Sequence, residues 1–215
     1  VLSNWIPDFS RWLENVLIPC YNDFGDDMLR IISGRYRGSR LFEVPGISTR
    51  PTTDKNKEKL FSILGPFFEG GRAADLYSGS GAIGLEFLSR GVSIVDFVEE
   101  NTIALETIRK NAQQCHMDNQ SELHIHRQKV LEFLRNASPD TFDYLFADPP
   151  YESDEYEKCL LVVHEKRLLK KDGVFILETD SNRSLTLEFD DFKKVRKEVS
   201  GNTALHFYMW EEKAQ

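Results

Sequence analysis

The chain has 215 residues, 40% of them apolar and 12% aromatic, which is enough to bury one substantial core and too hydrophobic for a disordered chain; a second full-sized domain is not expected. The formal net charge is -8, no run approaches the roughly 20 apolar residues that span a bilayer, and no secretory signal opens the sequence, so a cytoplasmic protein without a membrane partner is expected. Cys20, Cys115 and Cys159 are odd in number and far apart, which argues against a disulfide framework.

Residues 1–27 read as an N-terminal extension. Trp5, Phe9, Trp12, Leu13, Val16 and Leu17 recur at helical spacing until Pro19 ends the pattern, giving a short amphipathic helix. With only Arg11 as a basic residue, it is a poor membrane-surface helix. The well-patterned core begins at Met28.

Residues 28–65 form a basic unit. Leu29 to Ser33 and Ser39 to Val44 read as the strands of a small hairpin around Gly34-Arg35-Tyr36-Arg37-Gly38. A polar linker from Gly46 to Thr53 leads into a helix over 54–64, capped by Thr53 or Asp54, with Leu60, Phe61 and Leu64 on its apolar face. Between Met28 and Leu60, Arg30, Arg35, Arg37, Arg40, Arg50, Lys55, Lys57 and Lys59 face only Glu43, Asp54 and Glu58. This local excess of +5 on an acidic chain is compatible with a phosphate-binding face and equally with a solvated hairpin and helix.

Residues 66–215 alternate regularly. Strands near 73–77, 93–98, 121–126, 142–147 and 173–178 are separated by helical patterns near 81–90, 101–114, 128–136 and 155–169, which calls for parallel strands joined by right-handed crossovers. Phe192 to Val199 and Thr203 to Trp210 flank Ser200-Gly201-Asn202 and read as an antiparallel hairpin. A parallel sheet ending in such a hairpin is not the usual nicotinamide-binding arrangement.

Two motifs in this region carry chemistry. Gly79, Gly81 and Gly84 form GxGxxG after the first strand, and the next strand ends at Glu99, where a carboxylate can accept from two ribose hydroxyls. That pattern fits a dinucleotide or S-adenosylmethionine. Asp75, just before the loop, would repel a pyrophosphate and suits a cofactor end bearing ammonium or sulfonium charge. The second motif, Asp148-Pro149-Pro150-Tyr151, follows the apolar Tyr144-Leu145-Phe146-Ala147. Its prolines fix the backbone, while the Asp148 carboxylate and the Pro149 carbonyl can accept from an exocyclic amino group and Tyr151 can cover a base. Read alone, it is equally a strand followed by a rigid turn. His124 and His126 share one strand face but lack a nearby third ligand in sequence, so no metal site is expected.

Four segments together resemble the bacterial family that methylates the exocyclic N2 of a guanine in 16S ribosomal RNA using S-adenosylmethionine: Arg30 to Gly38, Arg50-Pro51-Thr52-Thr53-Asp54, Asp75 to Gly84, and Asp148 to Tyr151. The resemblance covers Met28 to Trp210. It implies an α/β, Rossmann-like class I S-adenosylmethionine-dependent methyltransferase fold, with a mostly parallel seven-stranded sheet, a C-terminal antiparallel hairpin and a small N-terminal basic hairpin. It places Asp75, Tyr77, Gly79, Ser80, Gly81, Glu99 and Gln128 at S-adenosylmethionine, and Asp148, Pro149, Pro150 and Tyr151 at the reacting amino group. Arg35, Arg37, Arg50, Thr52, Thr53, Lys55 and Lys57 are implied as RNA contacts. Two departures stand out: Arg127-Gln128-Lys129 replaces the acidic residue usual on the adenine side, and Lys55 and Lys57 stand where arginines are common. The implied partner is 16S ribosomal RNA in an assembling small subunit, met by a monomer. The alternatives are methylation of a DNA adenine or another RNA amino group, or an assembly factor that binds RNA without turnover.

Overall fold

The computed structural model describes residues 29–46, 54–117, 119, 121–150 and 154–211. The elements follow one another as α1 (Asp54–Leu64), β1 (Arg72–Leu76), α2 (Ala82–Ser89), β2 (Ile94–Glu99), α3 (Thr102–Gln114), β3 (Leu123–Arg127), α4 (Val130–Asn136), β4 (Phe142–Ala147), α5 (Glu155–Glu165), β5 (Leu169–Asp180), β6 (Phe192–Ser200) and β7 (Thr203–Trp210). One seven-stranded sheet runs β3-β2-β1-β4-β5-β7-β6. The first five strands in that order pair parallel, whereas β7 pairs antiparallel with both β5 and β6. This is the class I S-adenosylmethionine-dependent methyltransferase arrangement expected from the sequence.

Alternation of side chains along buried strands creates two cores. Ala73, Val95, Phe97, Phe146 and Ile176 face α1, α2 and α3, while Ala74, Leu76, Val98, Leu145 and Leu177 face α4 and α5. The sheet reverses its order between β1 and β4, the kind of switch point at whose carboxyl-end edge open α/β sheets bind ligands.

Three expectations about elements require correction. The N-terminal hairpin is held by one isolated antiparallel bridge, Arg30 to Arg40, rather than by two strands. The amides of Ile31, Gly38 and Leu41 still bond across the hairpin, but those near its turn go to α2: Ile32 and Ser33 donate to Glu86 at 2.8 and 3.0 Å, and Arg35 donates to the Ser89 carbonyl at 2.8 Å. Gly34 makes this docking possible, because it has φ 87° and a Cβ there would stand 1.9 Å from the Ser89 carbonyl oxygen. Second, the helical pattern over 155–169 ends at Glu165. Arg167 takes φ 48° in the turn that follows, and the buried Leu168 and Leu169 lead into β5 instead of extending a helix face. Third, Asp96 of β2 lies beside His124 and His126, supplying the third ligand type that sequence spacing did not show.

The 29–41 segment and α1 contribute Leu29, Ile31, Leu41, Leu60 and Phe61 to the same core as β1, α2 and β2. The amphipathic pattern over 1–27 lies outside the described residues. No helix among the described residues is long and apolar enough to cross a membrane.

Candidate active site

Four neighbouring strands each deliver a carboxylate to one edge of the sheet. Asp75 lies in β1, Glu99 ends β2, Asp148 follows β4, and Glu178 lies in β5. Side-chain parity with Ala73, Phe97, Phe146 and Ile176 directs all four to the side covered by α1, α2 and α3. Among the described residues no lysine or arginine forms a salt bridge with any of them.

On the β1–β2 side the loop after β1 is tightly determined. Gly81 opens α2, and the Gly84 amide donates to Asp75 Oδ2 at 2.8 Å. Gly84 is obligatory for packing, since a Cβ would stand 2.3 Å from the ring of the buried Phe97. Asp75 is 2% exposed; burial, opposed by the Gly84 hydrogen bond, and then the nearby charges of Glu99 and Asp148, push its carboxyl up to about 8. Glu99 Oε2 accepts from the Gly79 amide at 3.0 Å, and Oε1 accepts from the Asn101 amide at 2.8 Å. Each Glu99 oxygen keeps acceptor capacity for a further donor, and together they can receive a pair of vicinal hydroxyls.

Tyr77 takes φ 59°, and its hydroxyl lies 3.5 Å from Cys159 of α5. The phenol end is thus tied to the other side of the sheet. The Ser80 carbonyl accepts from Asn111 Nδ2 at 2.8 Å, and the same asparagine joins both the amide and the carbonyl of Phe42 at 2.6 and 3.0 Å. Asn111, which the sequence motifs did not single out, therefore fastens the basic segment to the glycine loop. Its only sequence signal is a polar residue on the buried face of α3. Gln128 sits half-buried just past β3, whose terminal Arg127 pairs in register with Glu99.

Across the switch point, Asp148 is an exposed residue, yet partial desolvation of its carboxyl by the surrounding protein raises its pKa above the ordinary carboxylate range. Pro149 is buried, and its carbonyl accepts from the Tyr156 hydroxyl at 2.9 Å. One of the two acceptors expected for an amino group is thereby partly committed to the protein. Pro150 is exposed. Tyr151 lies outside the described residues, as do Arg50, Thr52 and Thr53.

The basic face is smaller than its sequence suggests. Arg35, Arg37, Arg40 and Lys55 are exposed and form no salt bridge with another described residue, although Arg40 was not among the expected contacts. Lys57 must be withdrawn from that set. It is fully buried, donates to the Arg30 carbonyl, and lies 3.7 Å from Asp54 and 4.0 Å from Glu86. Arg30 pairs with Asp54 and Lys59 with Glu198, both at 2.8 Å.

Two other clusters do not belong to this site. Asp96 Oδ2 and Oδ1 accept from Nε and Nη2 of Arg72 at 2.7 and 3.0 Å, and Oδ1 lies 2.7 Å from His126 Nε2. With the guanidinium fork on both carboxylate oxygens, this group is a charge cluster inside the sheet and poorly arranged for a cation. A cavity of about 510 Å³ lined by His164, Arg167, Phe189 and Asp191, among others, lies where α5 has returned to the amino ends of the parallel strands, at the opposite edge from the carboxylates.

Residues 29–209 match the family model described as Conserved hypothetical protein 95. The chain belongs to that family. Within it, the chain is 36% identical over 182 residues to the "Putative rRNA methyltransferase YlbH" of Bacillus subtilis (strain 168), covering 84% of this chain and 98% of that protein. It is 26% identical over 195 residues to the Ribosomal RNA small subunit methyltransferase D of Escherichia coli (strain K12), covering 90% and 96%. The solved structure "Putative methyltransferase yhhF from Escherichia coli" superposes with a TM-score of 0.72 at 27% identity, covering 86% of this chain and 99% of that one. The family recognised from the four motifs is the family these comparisons return.

The family fold takes S-adenosylmethionine, and the residues present fit it. Glu99 offers the paired acceptors that a ribose needs, held in place by the Gly79 amide. The buried Asp75, in a neighbourhood of negative charge, is complementary to a ligand carrying positive charge at its methionine end. The protein is an S-adenosylmethionine-dependent methyltransferase.

Proposed function

We propose that this methyltransferase modifies the exocyclic N2 of one guanine in 16S ribosomal RNA, presented by an assembling small ribosomal subunit. The carrying observation is Asp148: an exposed residue directly after β4, one strand away from the buried Asp75 of β1. The family relatives named as ribosomal RNA small subunit methyltransferases support RNA as the substrate class.

Asp75, Glu99 and the backbone at Gly79 and Gly81 would hold S-adenosylmethionine, with Ser80, Tyr77 and Gln128 completing its surroundings. Bound there, the cofactor supplies an electrophilic methyl carbon. Guanine's amino nitrogen is a poor nucleophile because its lone pair is delocalised into the ring. Asp148, by accepting one amino hydrogen, orients that nitrogen and draws its lone pair out of conjugation with the ring; positioning of this kind is the main rate effect asked of the site. Once the nitrogen has gained its new bond to carbon it is strongly acidic, and Asp148 can take the departing proton and release it to solvent. The prolines fix the strand end, and Tyr151 supplies a stacking surface for the base. Arg35, Arg37 and Lys55, with Arg50, Thr52, Thr53 and the added Arg40, hold the RNA backbone.

The test is transfer of labelled methyl groups to ribosomal RNA from a strain lacking the modification, presented free and as small-subunit particles. Label mapped to N2 of a single guanine in 16S RNA is the expected result. Label on an adenine amino group, on DNA, or on no nucleic acid would overturn the reading.

A further inference from the structure

Glu178 is the carboxylate of the row that no role above uses. It is 7% exposed, and its Oε2 is buried without a hydrogen-bond partner among the described residues. An unsatisfied buried acceptor is costly, and such groups persist where a ligand supplies the missing donor. Ala147 and Leu177 are register partners across the parallel β4–β5 pair, so Asp148 and Glu178 stand opposite each other, roughly 5 Å apart at the backbone by ordinary strand spacing. Both side chains lie on the face lined by Phe146 and Ile176. Burial, and after it the charge of Asp148, raises the Glu178 carboxyl above its ordinary range, so the two groups sense each other. Meanwhile the Pro149 carbonyl is already engaged by Tyr156 at 2.9 Å.

We propose that Glu178 is a specificity-determining residue of the substrate cleft, whose carboxylate accepts the ring N1–H of the target guanine while Asp148 holds the adjacent amino group. The proposal rests on the guanine reading above. Guanine presents three hydrogens in a row on this edge, one at N1 and two at N2, and the two carboxylates offer only acceptors once Glu178, whose carboxyl is pushed up to about 8, has lost its proton. Adenine presents an amino group next to a ring nitrogen that is itself an acceptor. Against that edge an ionised Glu178 would set lone pair against lone pair, leaving two buried acceptors unpaired. Asp148 alone can recognise an amine; the pair distinguishes which base carries it.

The experiment uses the full chain above pH 8, where Glu178 is ionised, and an RNA substrate whose methylated guanine is replaced by 2-aminopurine, which keeps the amino group and has an acceptor nitrogen in place of N1–H. The parent protein should favour guanine by roughly tenfold or more in kcat/KM, the scale of one specific base-edge contact. In Glu178→Gln the side-chain amide can donate to the acceptor nitrogen, so the preference should collapse or invert, while S-adenosylmethionine affinity and the melting temperature stay near parental. A parent that methylates both bases equally overturns the proposal without recourse to any variant. Parental discrimination in folded Glu178→Gln, or a matching loss of cofactor affinity, also overturns it. Transfer to guanine without discrimination sinks Glu178 alone, whereas no transfer to guanine in any RNA sinks the functional reading and this inference together.

Discussion

Lys57 Nζ lies 4.0 Å from Glu86 Oε2, and neither side chain is exposed at all. Glu86 also receives the amides of Ile32 and Ser33 and, at 2.7 Å, Nε of Arg90. A residue that looks like part of a phosphate-binding face is, with Arg90, a counter-ion of Glu86 at the joint between α1, α2 and the basic segment. Lys57→Ala should therefore destabilise the fold by about 3–5 kcal/mol, the usual consequence of stranding a buried charge. Urea unfolding measures this; a loss below about 1 kcal/mol, the range of exposed pairs, would show that the joint does not depend on the lysine.

Asp75 gives cofactor binding a pH dependence of definite sign. Its carboxyl is raised from the ordinary 3.8 to about 8, chiefly by burial, so the stability due to its bound proton is fully present below 3.8 and is lost as pH rises through about 8. A cation beside it favours the ionised form. S-adenosylmethionine binding at neutral pH should release a proton, and affinity should increase as pH rises toward 8. Calorimetry in buffers of different ionisation enthalpy reads the release directly, and Asp75→Asn should abolish it. Identical apparent enthalpies in all buffers for the parent would remove Asp75 from the binding equilibrium.

Glu99→Ala should weaken S-adenosylmethionine binding by about 10- to 100-fold, the worth of hydrogen bonds to a charged acceptor, and it also leaves the Gly79 amide without its partner. An unchanged dissociation constant by titration calorimetry would separate Glu99 from the ribose.

Asp148→Ala should act on turnover far more than on cofactor affinity, with a loss of about 100-fold or more as expected for a group that positions and deprotonates the reacting atom. Because its carboxyl lies above the ordinary range, transfer should fall as pH drops, earlier than for an ordinary aspartate. Single-turnover rates at saturating cofactor decide the matter, and a parental rate would end the assignment.

Removing charge at Arg35, Arg37, Arg40 and Lys55 should weaken RNA binding and flatten its salt dependence, by about 0.7–0.9 in the log–log slope for each phosphate no longer neutralised. S-adenosylmethionine affinity should be untouched, since none of these side chains forms a salt bridge with the acidic row. RNA binding with the parental slope would place the substrate on another face.

The sequence alone determined the parts that depend on short-range pattern. Alternation of buried strands with amphipathic helices gives the parallel sheet, Gly79-Ser80-Gly81 gives the turn from β1 into α2 beside the carboxylates of Asp75 and Glu99, and the position of Asp148 after an apolar run puts it at a strand end. Each is legible because the spacing that carries the chemistry is also the spacing that sets the backbone. Tertiary structure decided what depends on residues far apart in the chain. Whether a lysine is solvated or buried turned on Lys57 meeting Glu86, 29 positions away, while its neighbour Lys55 stayed exposed. The 29–44 segment has strand-like composition, yet the amides of Ile32, Ser33 and Arg35 donate to Glu86 and Ser89 of α2, and no local pattern could show that choice. Likewise Asn111, among other polar residues of α3, and Glu178, after the apolar run of β5, gained meaning only when register and packing set one against the glycine loop and the other opposite Asp148.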